Sequence, residues 1–477
     1  MGGRLATAII GLLSIRFATT YLSPEEFGQL ALLLMVQALC GLFFINPVGQ
    51  HINRHTHAWW DAGTLRSRLS QYGYYIFLVS IIGTLVMFFI DSTSIEHALW
   101  AAGAIFLNVL LGTWNATYIP ILNMLGLRGA SVLWTVLTSA SGLMASVTLM
   151  QWYPVATAWF FGLTFGMAVG VIGSGMRFRG ESIRSGHKQC SESFLDKKTV
   201  IAYCLPLAVA TGFMWLQLSG YRFVVESYWG LAQLGYITVG LTLAAQVWAV
   251  CESLAMQFLY PYFFKSISDN KYASGKQALS DLLNVLGPLY LVLAGVTVIA
   301  APLLIFLLVD EKFSNALLFV MMGGSIECCR ALANVFGNAA QVTRKTKSLA
   351  LPYAAGAFVL FTLLFVAGIN QADTIWVGVA LVSGALVMLA VMIFSMYKQV
   401  AFVLELKTWL IGFLGMVTLC VSSYLFGKLN DWVEAIESLG LVAIAAILLT
   451  FLILRKNESL KRLLQVRLSG ESVNDNC

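Results

Sequence analysis

About fourteen long apolar stretches divide this chain, and the cations between them fall almost entirely on alternate connectors. With the N-terminal end taken as inside, the inside connectors and the C-terminal tail carry 24 of the 29 Lys and Arg residues. The outside connectors carry 3 (Arg222, Lys312 and Lys428), and 2 more, Arg16 and Arg330, lie within apolar stretches. The 23 acids show no such bias: about 11 fall outside, 10 inside and 2 within apolar sequence. Translocating a cation during membrane insertion is unfavourable, whereas acids matter little, so this asymmetry sets topology. It predicts an all-α polytopic, multi-pass membrane protein with both termini cytoplasmic.

At 59% apolar and 11% charged residues, the chain lies far outside the averages of soluble proteins. A bilayer can accommodate that surface, at about 20 residues per crossing helix. The formal charge of +6 is the inside excess, held beside anionic lipid head groups, and does not point to nucleic acid. The first segment begins by Arg4 and lacks a small-residue cleavage site, so it reads as retained. Of the 8 cysteines, Cys190 and Cys477 are placed inside and none falls in an outside connector, which argues against a disulfide framework.

The segments fall at about 4–22, 27–50, 72–90, 98–121, 131–150, 154–176, 199–221, 233–262, 280–308, 315–341, 349–369, 374–396, 408–426 and 438–454. Trp152, Tyr153, Trp229 and Trp432 mark outer ends, and Trp59 and Trp60 an inner one. The expected organisation is an N-lobe of six helices over 1–176, a cytoplasmic linker over 177–198 and a C-lobe of six helices over 199–396. Two additional helices over 397–454 and a basic cytoplasmic tail over 455–477 follow. A short echo supports the division: Arg16, Tyr21 and Gly28 recur in order as Arg222, Tyr228 and Gly235. Halves with an even number of helices share one orientation, so they would be parallel repeats about an axis along the membrane normal.

Chemistry in such a chain is sought among its intramembrane polar and ionisable groups. In the tenth segment Glu327, Arg330, Asn334, Asn338 and Gln341 recur at helical spacing and share a face. Glu327 and Arg330, at i,i+3, can pair. The stripe reads either as the wall of a wet cavity or as a buried ion pair with amides bridging helices. Arg16 lies deep in the first segment and Arg222 near the outer end of the seventh. Each guanidinium could grip phosphate oxygens in a bidentate way or serve a structural pairing. Arg54 closes the run Asn46-Pro47-Val48-Gly49-Gln50-His51-Ile52-Asn53-Arg54 at an inner helix end, as a topogenic charge or a substrate contact. Glu252 is either a coupling site for a proton or cation or a satisfied structural acid. Gly162, Gly166, Gly170 and Gly173 form a small-residue stripe suited to close helix packing. The prolines at 47, 120, 206, 261 and 288 lie in or at the ends of helices, where they favour kinks. His51, His55 and His57 cluster without the cysteine or carboxylate partners of a metal site. There is no G-x-x-x-x-G-K-[ST] phosphate loop.

The run Tyr21-Leu22-Ser23-Pro24-Glu25-Glu26-Phe27-Gly28 after Arg16 resembles the start of polysaccharide-type lipid flippases of the multidrug/oligosaccharidyl-lipid/polysaccharide exporter superfamily. Leu205-Pro206, Gly220-Tyr221-Arg222 and Leu234-Gly235-Tyr236 are similar to their seventh and eighth helices, with Tyr221 where an aspartate often precedes the arginine. Gly49 to Arg54 is similar to the end of their second helix. The resemblance implies two six-helix lobes around a central cavity, with helices thirteen and fourteen outside it. It implies transfer of a polyprenyl-diphosphate-linked oligosaccharide from the cytoplasmic to the outer leaflet by alternating access, for surface polysaccharide synthesis of the O-antigen type. Such a protein is a transporter rather than an enzyme and needs no cofactor; proton or sodium coupling is left open. Its partners would be the lipid-linked glycan, membrane lipids and the polysaccharide polymerase and chain-length machinery. The substrate-binding candidates are Arg16, Arg54, Arg222, Arg330, Asn334 and Asn338, and the coupling or structural charges are Glu252 and Glu327. An inside-negative potential favours outward movement of an anion by about 2.3 kcal/mol per charge per 100 mV. The competing readings are a drug/cation antiporter of the same superfamily, which predicts acids in the cavity, and a membrane glycan polymerase or ligase, which predicts a large outer loop.

Overall fold

The computed structural model describes residues 2–90, 94–184, 197–268, 272–343, 345–423, 432–455 and 457–462. Cys190, Lys428, Cys477, most of the 177–198 connector and the tail from 463 onward lie outside the described residues.

Among the described residues, each of the expected apolar segments falls largely in helix, some of them across more than one helical element. The chain begins with α1 (Gly2–Tyr21), α2 (Pro24–Leu39) and α3 (Asn46–Asp61), the last two joined by a π turn, Cys40–Ile45. Then come α4 (Leu65–Ile90), α5 (Ile95–Met124), α6 (Arg128–Met150), α7 (Ala156–Arg184) and α8 (Lys197–Trp215). A second π turn, Leu216–Gly220, leads into α9 (Tyr221–Phe258), followed by α10 (Tyr260–Ser268), α11 (Tyr272–Leu308), α12 (Leu317–Gly337) and α13 (Ala339–Val342). The remainder is α14 (Ala350–Ile369), α15 (Ile375–Tyr397), α16 (Leu406–Ser422) and α17 (Trp432–Arg455). Among the described residues, ten helical stretches are long and apolar enough to cross a bilayer, and Leu406–Ser422 and Gly440–Arg455 are shorter apolar helices. One stretch, Val200–Phe258, would run about 90 Å if straight, some three times the thickness of the hydrocarbon layer. It breaks at Gly230, whose φ of 82° only glycine adopts at low cost.

Several helices outrun their apolar segments, and each does so toward a Lys/Arg-rich connector. α3 continues to Asp61, α7 to Arg184, and α4 and α11 begin at Leu65 and Tyr272. Hydropathy marks only the lipid-embedded part of a helix. Its backbone hydrogen bonds continue past that limit, where polar side chains cost little.

Large apolar side chains are widely exposed, among them Phe89, Phe358 and Leu406. In a water-soluble protein such a surface would drive association; in a bilayer it faces lipid tails.

Met1–Gly235 forms one compact unit and Tyr236–Cys477 another. In the first, α6 and α7 meet along the glycine stripe: Gly162 lies against Ser146, Gly166 against Thr138 and Gly142, and Gly173 against the Trp134 ring. Lipid gives helices no hydrophobic reason to associate, so such close backbone approach supplies the contact energy. The Ser-Pro-Glu-Glu-Phe-Gly motif is a helix start. Ser23 Oγ caps α2 by accepting from Glu26 N–H at 3.2 Å, with Pro24 in the first turn. Glu26 also accepts from Ala156 N–H at 2.6 Å, tying the start of α2 to the start of α7.

The two echo stretches meet. Gly28 abuts the Leu231 carbonyl and Gly235 abuts the Pro24 carbonyl. Each carbonyl lies four residues before the glycine of its own stretch. Such reciprocity is what a local two-fold produces. α8 and α9 are further held to α2 by Trp215 Nε1–H donating to Met35 O at 3.1 Å and Arg222 Nη1–H donating to Ala31 O at 3.0 Å.

The second unit is built around fully buried Trp248, Phe263, Leu282, Leu283 and Phe336. Trp248 Nε1–H donates to Thr297 Oγ1 at 3.2 Å, so its polar edge is satisfied within the core.

Candidate functional site

Three ionisable groups converge in the second unit. Arg330 Nε–H donates to Glu327 Oε2 at 2.6 Å and Nη2–H to Glu252 Oε2 at 2.7 Å. The first contact is the i,i+3 pair within α12; the second links α12 to α9. Their side chains are 21%, 13% and 23% exposed for Arg330, Glu327 and Glu252 respectively. Fully ionised, the triad carries one net negative charge. Taking three charges out of water is costly, and one guanidinium fork holding two carboxylates offsets much of that cost.

The polar stripe along α12 does not continue as a straight face. α12 ends at Gly337, and helix resumes as α13 after Asn338. Asn338 is buried, and its Nδ2 donates to Tyr260 Oη at 3.3 Å and to Asn334 O at 3.0 Å. Its amide thus stitches the helix end to α10. Asn334 stays half-buried and Gln341 is exposed.

The first-unit arginines lie apart from that triad. Arg16 is half-buried in α1, with its carbonyl accepting from the hydroxyls of Thr19 at 3.0 Å and Thr20 at 2.8 Å. Arg54 is exposed on α3, its guanidinium 6.0 Å from the centroid of the Tyr203 ring. Besides its bond to Ala31 O, Arg222 holds its guanidinium 6.0 Å from the Tyr221 ring centroid. Tyr221 thus meets that cation with a ring face where the resembled family often has a carboxylate.

Two cavities lie within the first unit. One, of about 610 Å³, is bounded by the end of α2, the π turn, α3, α5 and α7. Its polar groups are carboxamides and hydroxyls: Gln37, Asn46, Gln50, Asn53, Asn108 and Asn115 line it, with no acid, lysine, arginine or histidine. The other, of about 690 Å³, lies between α3, α4 and α8 and is walled by Phe43, Phe44, Tyr75 and Leu205, with His51 and Arg68. Tyr72 lines both. The π turn loosens the backbone bonding between α2 and α3, and Tyr75 Oη–H donates to the Phe44 carbonyl there at 2.8 Å.

A third polar cluster was not anticipated. Asp281 on α11 is 0% exposed and accepts from Arg462 Nη2–H at 2.7 Å, from Gln277 at 3.1 Å and from Tyr262 at 3.4 Å. Asn457 Nδ2 donates to Asn284 O at 2.9 Å and Ser459 Oγ–H to Glu405 Oε1 at 2.8 Å, docking the segment after α17 onto α11 and α16. The hydrogen bond to Asp281 raises the Arg462 pKa above its already high ordinary value. The spacing of Gln277, Asp281 and Asn284 was a legible helical signal.

A bundle of long apolar helices in two compact units defines a multi-pass membrane protein, and its architecture is a known one. The chain aligns over 95% of its length, and 98% of the other chain, with the lipid II flippase MurJ in an inward closed conformation, with a TM-score of 0.70 and 12% identity. A multidrug resistance MATE family transporter of the MOP superfamily, inward-facing, aligns with a TM-score of 0.60 and 10% identity, over 83% of this chain and 95% of that one. An outward-facing MATE structure gives 0.53 and 11%, over 84% and 95%. At these identities the likeness is one of fold. The fold resembles those of the lipid II flippase and of the two MATE transporters. No family and no curated protein matches the sequence.

Proposed function

We propose that this protein is a flippase that moves a polyprenyl-diphosphate-linked oligosaccharide from the cytoplasmic to the outer leaflet of the inner membrane. It works by alternating access, with fourteen crossings and both termini cytoplasmic. The observation that carries the reading is coverage. The MATE structures align over 95% of their own chains yet reach only 83% and 84% of this one, whereas the lipid II flippase reaches 95%. That wider coverage supports reading this chain with the lipid II flippase rather than with the MATE transporters.

In this reading Arg16 and Arg54 meet the diphosphate, and Arg222 sets the packing of α9 on α2. Arg330 serves to hold Glu252 and Glu327 rather than to grip phosphate, because both carboxylates already occupy its fork. The net negative charge of that triad supports a step coupled to a proton or a monovalent cation.

Deleting the gene tests the reading. Lipid-linked repeat units should accumulate on the inner leaflet while the outer glycan disappears, and Arg16→Ala at parental abundance should reduce outer glycan at least tenfold. Intact outer glycan in the deletion strain would end the proposal. Drug sensitivity with normal glycan would favour the antiporter instead.

A further inference from the structure

The amide-lined cavity of the first unit has no assigned role, and its chemistry is specific. Helix α3 has two faces. Asn46, Gln50 and Asn53, at i, i+4 and i+7, turn to the neutral polar cavity, while Pro47, Val48, His51 and Ile52 turn to the aromatic one. From α5, Asn108 and Asn115 add carboxamides to the first cavity. Asn108 is 1% exposed; its Nδ2 donates to Thr164 Oγ1 at 2.9 Å, yet its Oδ1 has no hydrogen-bond partner. A buried carbonyl oxygen left unpaired costs about 1–3 kcal/mol, so its position favours an incoming donor.

A carboxamide offers two donors and an acceptor in one plane, and a sugar hydroxyl is both donor and acceptor. An array of amides without a charge fits uncharged polyols. It gives no attraction to a diphosphate and no discrimination by net charge. The volume of about 610 Å³ lies within the range typical of small-ligand sites, about 300–1,000 Å³. The aromatic cavity on the other side of Tyr72 provides the matching apolar half of an amphiphile's site.

We infer that this cavity binds the uncharged saccharide rings of the lipid-linked substrate through Asn46, Asn53, Asn108 and Asn115, with the first isoprene units against Phe43, Phe44 and Tyr75 beyond Tyr72. The assignment rests on the flippase reading and adds where, and by what chemistry, the glycan is held.

The test uses the full-length protein in lipid nanodiscs. The probes are bare polyprenyl diphosphate and the same lipid bearing a hexose, an N-acetylhexosamine or a hexuronate. At least one neutral sugar lipid should bind tenfold or more tightly than the bare lipid. Asn46→Ala/Asn53→Ala should erase that gain and leave affinity for the bare lipid unchanged. Phe43→Ala should weaken both lipids alike. Size-exclusion profile and thermal midpoint show which variants are folded, and Asn115→Ala, on a different helix, gives the same reading should the double variant misfold. Equal affinity of the parent for bare and glycosylated lipids would overturn the cavity assignment while leaving the flippase intact. A preference for the hexuronate alone would also overturn it. Failure of the parent to bind any of the polyprenyl lipids would remove the flippase reading and this inference together.

Discussion

The two units hold their polar groups in opposite ways. In the first, one cavity is lined by neutral amides, and buried contacts such as Gly166 on Gly142 do the packing. In the second, the central polar feature is ionised: one guanidinium between two carboxylates drawn from α9 and α12. Neutral amides can remain partly unpaired in a wet cavity at modest cost. Unpaired charges cannot remain in a low-dielectric interior, so they lock each other. The difference suggests a division of labour, with recognition in the first unit and charge compensation in the second.

Three substitutions probe that contrast, in falling order of effect on stability. Arg330→Ala leaves two carboxylates facing each other and should destabilise the protein by roughly 3 kcal/mol, the low end for a broken buried pair because a fifth of the side chain is exposed. Thermal unfolding in detergent checks this, and an unchanged midpoint would mean that the triad is solvated and the contrast false. Gly166→Leu should cost about 1–3 kcal/mol by forcing α6 and α7 apart. If instead it is neutral, first-unit stability comes from elsewhere than backbone proximity. Asn53→Ala, exposed on α3, should shift stability by less than about 0.5 kcal/mol. A large loss there would show that the amides hold the fold rather than wait for a ligand.

What was legible in the sequence follows from the range of each signal. Apolar length located the helices, and the spacing of the glycines on α7 marked a face suited to close packing, which meets α6. The i,i+3 spacing found the Glu327–Arg330 pair, since one helix contains both. The sequence leaves Glu252 as either a coupling site or a satisfied structural acid, because its partner Arg330 lies 78 residues away and periodicity does not report contacts between helices. The stripe through Asn338 was over-extended: spacing alone does not register the helix end at Gly337. Asn46, Gln50 and Asn53 are spaced to share one face of α3. Their significance needs α5 beside α3, which only the fold supplies. Likewise the role of Asp281 depends on Arg462, 181 residues further along the chain, which only the fold brings to it.

The crossing of Gly28 and Gly235 is made by main chain on both sides. A methyl group at either position would land on a main-chain carbonyl oxygen of the other stretch, so no side-chain change at one glycine makes room for a larger residue at the other. A contact of this kind has no side-chain rotamer through which it could adjust. The separation of the two stretches at this point is set by peptide geometry alone.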